Sequence, residues 1–206
     1  MELTLDKKDA LTELINIGYG RAAGALSELT GYRITLEVPQ VSIYEIEVLG
    51  PVLETTLGPT VASVSQVFAG PISGNALLLL DERSAVALSQ LLAEHPAEGA
   101  TLDVNAQEVV TEIGNILLNA CIGVFGNLLH LQLTFAVPRM SVEQVSRLFR
   151  HLDAAREKVR YGLMIHTRFL IKTGNVTGYL VIVLGIASLD RLMNELDSWE
   201  KRQLHG

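Results

Sequence analysis

The sequence predicts an α+β protein: a duplicated domain with approximate twofold symmetry, its antiparallel β-sheet covered by helices. Three observations predict it. The chain resembles itself at an offset of about 100 residues, each half opens with a long run of helical period, and each half continues into apolar strands joined by glycine turns. Strands that follow one another without helical crossovers pair antiparallel, which makes the class α+β rather than α/β.

The repeat is read first, because it organises everything else. Asp9–Ile17 (DALTELINI) resembles Glu108–Ile116 (EVVTEIGNI), 99 residues later. The same offset carries Glu13 to Glu112, Asn16 to Asn115 and Pro39 to Pro138. Further on, Ile72–Leu92 resembles Val176–Leu196 at an offset of 104, with Gly74 on Gly178, Leu80 on Leu184 and Ser84 on Ser188. One domain spanning 1–206 is expected, with internal repeats at about 9–92 and 108–196 and a joint at Ala93–Thr101 (AEHPAEGAT). Two halves sharing one core fit this pattern; two independent domains would leave the same trace.

The elements follow in order. Long amphipathic helices are expected over about 7–30 and 104–129, then strands over 32–38 and 131–137, each ending at a proline. In the first half SIYEIEVLG and TVASVSQVF read as strands; in the second, SVEQVSRLFRHLDAAREK reads as a helix, with Ser141 and Gln144 spaced as a capping box. Two apolar strands around AGPISG and KTGNVTG come next, then closing helices at about 82–94 and 187–199.

On a wheel of about 100° per residue, Leu11, Leu14, Ile15, Gly18, Ala22, Ala25, Leu26 and Leu29 form the apolar stripe of the first helix. Asp9, Glu13, Asn16, Gly20 and Ser27 face away, and Glu13 and Asn16, three apart, are surface neighbours. In the second long helix Val110, Ile113, Leu117, Cys121, Val124, Phe125 and Leu128 make the stripe, while Glu108, Glu112 and Asn115 face away. Gly18-Tyr19-Gly20-Arg21-Ala22-Ala23-Gly24 looks like a phosphate loop, but the preceding residues already follow a helical period. At the 99-residue offset Gly18 becomes Leu117 and Gly20 becomes Asn119. A dinucleotide fingerprint needs a strand before its glycines. The repeated features are instead the carboxylate, the amide and the distant proline. The small residues Gly20, Ala23 and Gly24 leave low relief beside the first pair, where another molecule can approach.

Composition narrows the class of function. The formal charge of −7 gives no general attraction to nucleic acid or anionic lipid. One cysteine, Cys121 between apolar neighbours, suits a buried thiol in a reducing cytoplasm. The charged start MELTLDKKDALTE carries no signal-type apolar run, and YLVIVLGIA (Tyr179–Ala187) is too short for a bilayer, so a cytoplasmic protein without membrane insertion is expected. His95, His130, His151, His166 and His205 show no metal-ligand spacing, and no metal or cofactor of the chain's own is expected.

The series Asp9, Glu13, Asn16, Pro39 and its second copy Glu108, Glu112, Asn115, Pro138 resembles the Asp/Ser-x3-Glu-x2-Asn-x22-Pro signature of the CheC/CheX/FliY phosphatases of bacterial and archaeal chemotaxis. ELINIGYGRAAGALSELTG and EIGNILLNACIGVFGNLL resemble that family's two signature helices. Two departures stand out. Glu108 occupies a position usually held by Asp or Ser, and Leu14-Ile15 lies where the family favours Ile-Gly. Two copies without an added flagellar-switch domain imply CheC proper.

The resemblance implies an aspartyl-phosphate phosphatase acting on a phosphorylated CheY-like response regulator. Asn16 or Asn115 would orient the attacking water, and Glu13 or Glu112 would reach the regulator's lysine. The Mg²⁺ would belong to the regulator. It implies, as the alternative, an adaptor for a CheD-like receptor deamidase or for the regulator, with little catalysis of its own. A homodimer, and the relative activity of the two copies, are left open.

Overall fold

The computed structural model describes residues 4–90, 101–153, 160–171 and 174–204. The first half runs α1 (Leu5–Thr30), β1 (Thr35–Leu36), β2 (Gln40–Glu45), α2 (Ile46–Leu57), β3 (Thr60–Ala69), β4 (Gly74–Leu80) and α3 (Glu82–Ser89). The second runs α4 (Val104–Leu128), β5 (Thr134–Phe135), β6 (Arg139–Gln144), α5 (Val145–Asp153), β7 (Arg160–Ile171), β8 (Gly174–Gly185) and α6 (Ile186–Leu204). The order of helices and strands is the same in both.

Among the described residues eight strands form one antiparallel sheet, with β7, β8, β4 and β3 adjacent in that order. Each half lends its short strands to the other. β2 pairs with β7, from Gln40↔His166 to Glu45↔Tyr161, and β6 pairs with β3, from Thr60↔Gln144 to Ser65↔Arg139. The β1–β7 and β5–β3 pairs extend these exchanged edges.

Helices cover both faces of the sheet. α1, α3, α4 and α6 share a core with Val64, Leu78, Leu80, Ile182 and Leu184, whereas α2 and α5 pack on Val61, Leu77, Leu79, Val181 and Val183. Successive residues of a strand point to opposite faces. A central strand covered on both sides must therefore be apolar throughout, which accounts for ALLLL in β4 and YLVIVL in β8. α4 alone among the described helices has the length and apolarity of a membrane span, but half of its most apolar window is buried within the fold.

The middle of each half departs from expectation. SIYEIEVLG does not continue as a strand: the chain turns helical at Ile46 and buries Ile46, Leu49, Gly50 and Leu53, a 3–4 spacing that a local alternation had masked. In the second half the expected helix begins late. Arg139–Gln144 is strand β6, because β3 offers it a partner edge, and only Val145 onward is helical. Ser141 caps nothing; its hydroxyl meets that of Ser63 at 3.0 Å and donates to the Glu143 carboxylate at 2.8 Å. The end of that expected helix (154–158), the end of the closing helix in the first half (91–94) and most of the joint lie outside the described residues. The strands expected over 32–38 and 131–137 shrink to Thr35–Leu36 and Thr134–Phe135.

Candidate functional site on the two long helices

α1 begins at Thr4, whose side chain accepts from the Lys7 N–H, and ends at Gly31 in the left-handed conformation (φ 69°), its N–H bonded to the Ser27 carbonyl. α4 is capped by Asp103, whose carboxylate accepts from the Ala106 N–H at 2.8 Å. Fixing the helix starts fixes the rotational phase of the residues that follow. On α1, Leu11, Leu14, Ile15, Tyr19, Ala22 and Leu26 are buried, while Asp9, Glu13 and Asn16 are exposed. Ala25 and Leu29, expected in the stripe, face solvent, and Leu29 is 45% exposed. Tyr19, outside the expected stripe, is buried one turn beyond Ile15, with its hydroxyl bonded to that of Thr167 on β7.

The glycines of α1 have different uses. A Cβ on Gly18 would lie 3.0 Å from the Cys121 Cα and 3.2 Å from the Ala120 carbonyl oxygen, so Gly18 lets α1 approach the α4 backbone. Gly20 faces open space, with nothing within 4 Å of a Cβ placed there. This is a packing glycine and an open surface on a helix, not a phosphate loop. The core contact explains a feature of the second copy as well. Gly114, between Glu112 and Asn115, sits against the Val64 side chain, which a Cβ would approach to 2.8 Å; the corresponding position on α1 is Ile15, fully buried.

The second copy matches the first in exposure at Glu108 and Glu112. These two, with Val104, Gln107, Thr111 and Met140, line a shallow depression of about 310 Å³. Asn115 differs from Asn16. It is half-buried, and its side-chain oxygen accepts a hydrogen bond from the Asn119 amide at 2.6 Å. Asn16 makes no such bond among the described residues, because the position four residues on is Gly20. The wheel placed both asparagines outward but could not see this contact; the Asn119-for-Gly20 difference was the available signal.

The prolines lie at the breaks between paired strands, Pro39 buried between β1 and β2, Pro138 half-buried between β5 and β6. A residue without an N–H fits such a break. The preceding segments are pinned alike: the Glu37 N–H bonds the Arg168 carbonyl at 3.1 Å and the Ala136 N–H bonds the Val67 carbonyl at 2.9 Å. Their side-chain supports differ, since Glu37 pairs with Arg168 at 3.3 Å while the Ala136 carbonyl accepts from Gln66 at 3.0 Å. Val38 and Val137, immediately before the two prolines, are 70% and 82% exposed.

Comparison with known proteins agrees with this architecture. A family model described as the CheC-like family matches residues 7–43, the segment from just before Asp9 to just after Pro39. The CheY-P phosphatase CheC of Bacillus subtilis (strain 168) is 27% identical over 141 residues, 67% of each chain. Thermotoga maritima FliY has a similar fold, with a TM-score of 0.77 at 20% identity over 97% of this chain and 100% of that one. The FliM middle domain from H. pylori scores 0.65 at 11% identity, over 94% of this chain and 99% of that one. CheX from Vibrio vulnificus scores 0.53 at 14% identity, over 83% and 99%. The motif segment, the sequence relative and the fold all point the same way: the chain is similar to the CheC-like family in sequence and to FliY in fold.

Proposed function

We propose that this chain dephosphorylates a CheY-like response regulator, in keeping with the name of its Bacillus subtilis relative. The observation that carries the reading is the exposed Glu13–Asn16 pair on α1, repeated at the same spacing as Glu112–Asn115 on the helix packed against it. A regulator's aspartyl phosphate is an activated acyl phosphate, held beside a Mg²⁺ that the regulator binds. Water attacks phosphorus, the bond to the aspartate oxygen breaks, and the products are inorganic phosphate and a free carboxylate.

Little is left for the phosphatase beyond orientation. A side-chain amide both donates and accepts, so Asn16 or Asn115 can hold the water in line without a change of charge. Glu13 or Glu112 pairs with the regulator's lysine and sets the docking angle. Neither carboxylate acts as a strong base, because the metal and the regulator stabilise the charge on the phosphoryl oxygens.

The test is phosphate release from a phosphorylated chemotaxis regulator of the same organism, with and without the protein. Acceleration is expected, reduced in Asn16→Ala and in Asn115→Ala and lost in the double variant by about 10²-fold. Full activity in the double variant sinks the assignment. Binding to a CheD-like deamidase with no acceleration would transfer the reading to the adaptor.

A further inference from the structure

Although the two copies share their spacing, their asparagines stand in different chemical states. Asn16 is exposed and its amide is free of hydrogen bonds among the described residues. Asn115 is half-buried, and its oxygen already accepts from Asn119 one turn along its own helix, at a short 2.6 Å. The residue equivalent to Asn119 on α1 is Gly20, which has no side chain and no neighbour within 4 Å of a Cβ.

An attacking water keeps one lone pair on phosphorus, so its protons must be directed at acceptors. The amide oxygen is the acceptor that an asparagine offers. At Asn115 one acceptor position is taken, and the amide is turned along the helix rather than outward. To reach into a partner's phosphorylation site it must give up or share the Asn119 bond.

Resting on the phosphatase reading above, we infer that Asn119 is a positioning residue that latches Asn115 and holds the second site below the first in catalytic rate. Docking through Glu112 is untouched by the latch, so the difference falls on turnover and not on regulator binding. Losing one such hydrogen bond corresponds to about two- to tenfold in rate.

The experiment isolates each site. In an Asn16→Ala background, where only the second site works, Asn119→Ala is expected to raise kcat by about two- to tenfold with KM for the phosphorylated regulator unchanged. In an Asn115→Ala background, Gly20→Asn installs the same latch on the first site and is expected to lower kcat by a similar factor. A merely structural role for Asn119 would change the melting temperature but would not raise kcat. If Asn119→Ala leaves kcat unchanged or lowers it while the wild type is active, the latch is wrong and the phosphatase reading stands. If neither the wild type nor the Asn16→Ala/Asn119→Ala variant accelerates dephosphorylation, both fall.

Discussion

Leu77 of β4 stands directly opposite Val181 of β8 in the sheet, and the two are 104 residues apart, the separation that relates Gly74 to Gly178 in the sequence. The neighbouring pairs obey the same relation: Leu79↔Tyr179 is converted into Asn75↔Val183 by a shift of 104. A local twofold axis passing between Leu77 and Val181 accounts for both, and for the reciprocal loan of β2 to β7 and β6 to β3.

That loan predicts how the halves behave apart. The fragment 1–95 would retain β3 without the β6 edge and β4 without β8, leaving ladder hydrogen bonds and apolar faces unpaired. Each fragment alone is expected to lack cooperative unfolding by circular dichroism, and co-expression with 96–206 is expected to give a folded complex. A monomeric fragment 1–95 that unfolds cooperatively would contradict this.

Docking and water orientation should separate kinetically. If the carboxylates dock as proposed, Glu13→Lys or Glu112→Lys sets a cation against the regulator's lysine and is expected to raise KM at that site by about tenfold or more with a smaller change in kcat. Steady-state dephosphorylation in single-site backgrounds measures the split. An effect confined to kcat would argue against a docking role.

The contact between α4 and β3 leaves no room at Gly114. Gly114→Ala gains about 1 kcal/mol in helix propensity but drives a methyl into Val64, and a net loss of about 1–2 kcal/mol is expected. Val64→Ala removes the obstructing methyls, so the double variant should be more stable than additivity predicts. Chemical denaturation of the four proteins gives the coupling energy.

Alkali should destabilise the fold through buried protons. Burial raises the Tyr19 phenol well above its ordinary 10.0, with Cys121 adding to the rise and the Thr167 bond opposing it. Burial likewise raises the Cys121 thiol above 9.0. Both groups are protonated in folded and unfolded chains below about pH 8, so stability there is independent of them. Above it the unfolded chain releases protons that the folded chain retains, and stability falls as pH rises. Tyr19→Phe is expected to flatten that decline above pH 10, with Tyr179 and Cys121 sustaining the remainder. A decline of unchanged slope in the variant would remove Tyr19 from the account.

Much of the site was legible because its geometry is local. Glu13 and Asn16 stand three positions apart on one α-helix, so their shared exposure follows from period alone, and a second copy made the spacing informative. The errors fell where a neighbour outside the window decided. Ile46–Leu57 became helix because its 3–4 spacing had a sheet face to cover, and Arg139–Gln144 became strand because β3 presented an edge. Tyr19 joined the core at the edge of the expected stripe, where Thr167 offers its hydroxyl a partner, while Ala25 and Leu29 near the helix end face solvent.

The sequence by itself determined the α+β class, the two long helices, their repeated carboxylate, amide and proline, and the family these resemble. Those features depend on residue period and spacing within one segment. Only the tertiary structure decided that each half completes the other's sheet, that Gly18 serves helix packing, and that Asn115 is engaged where Asn16 is free. These depend on which surfaces meet at a few ångströms, and no periodicity along a single segment encodes that.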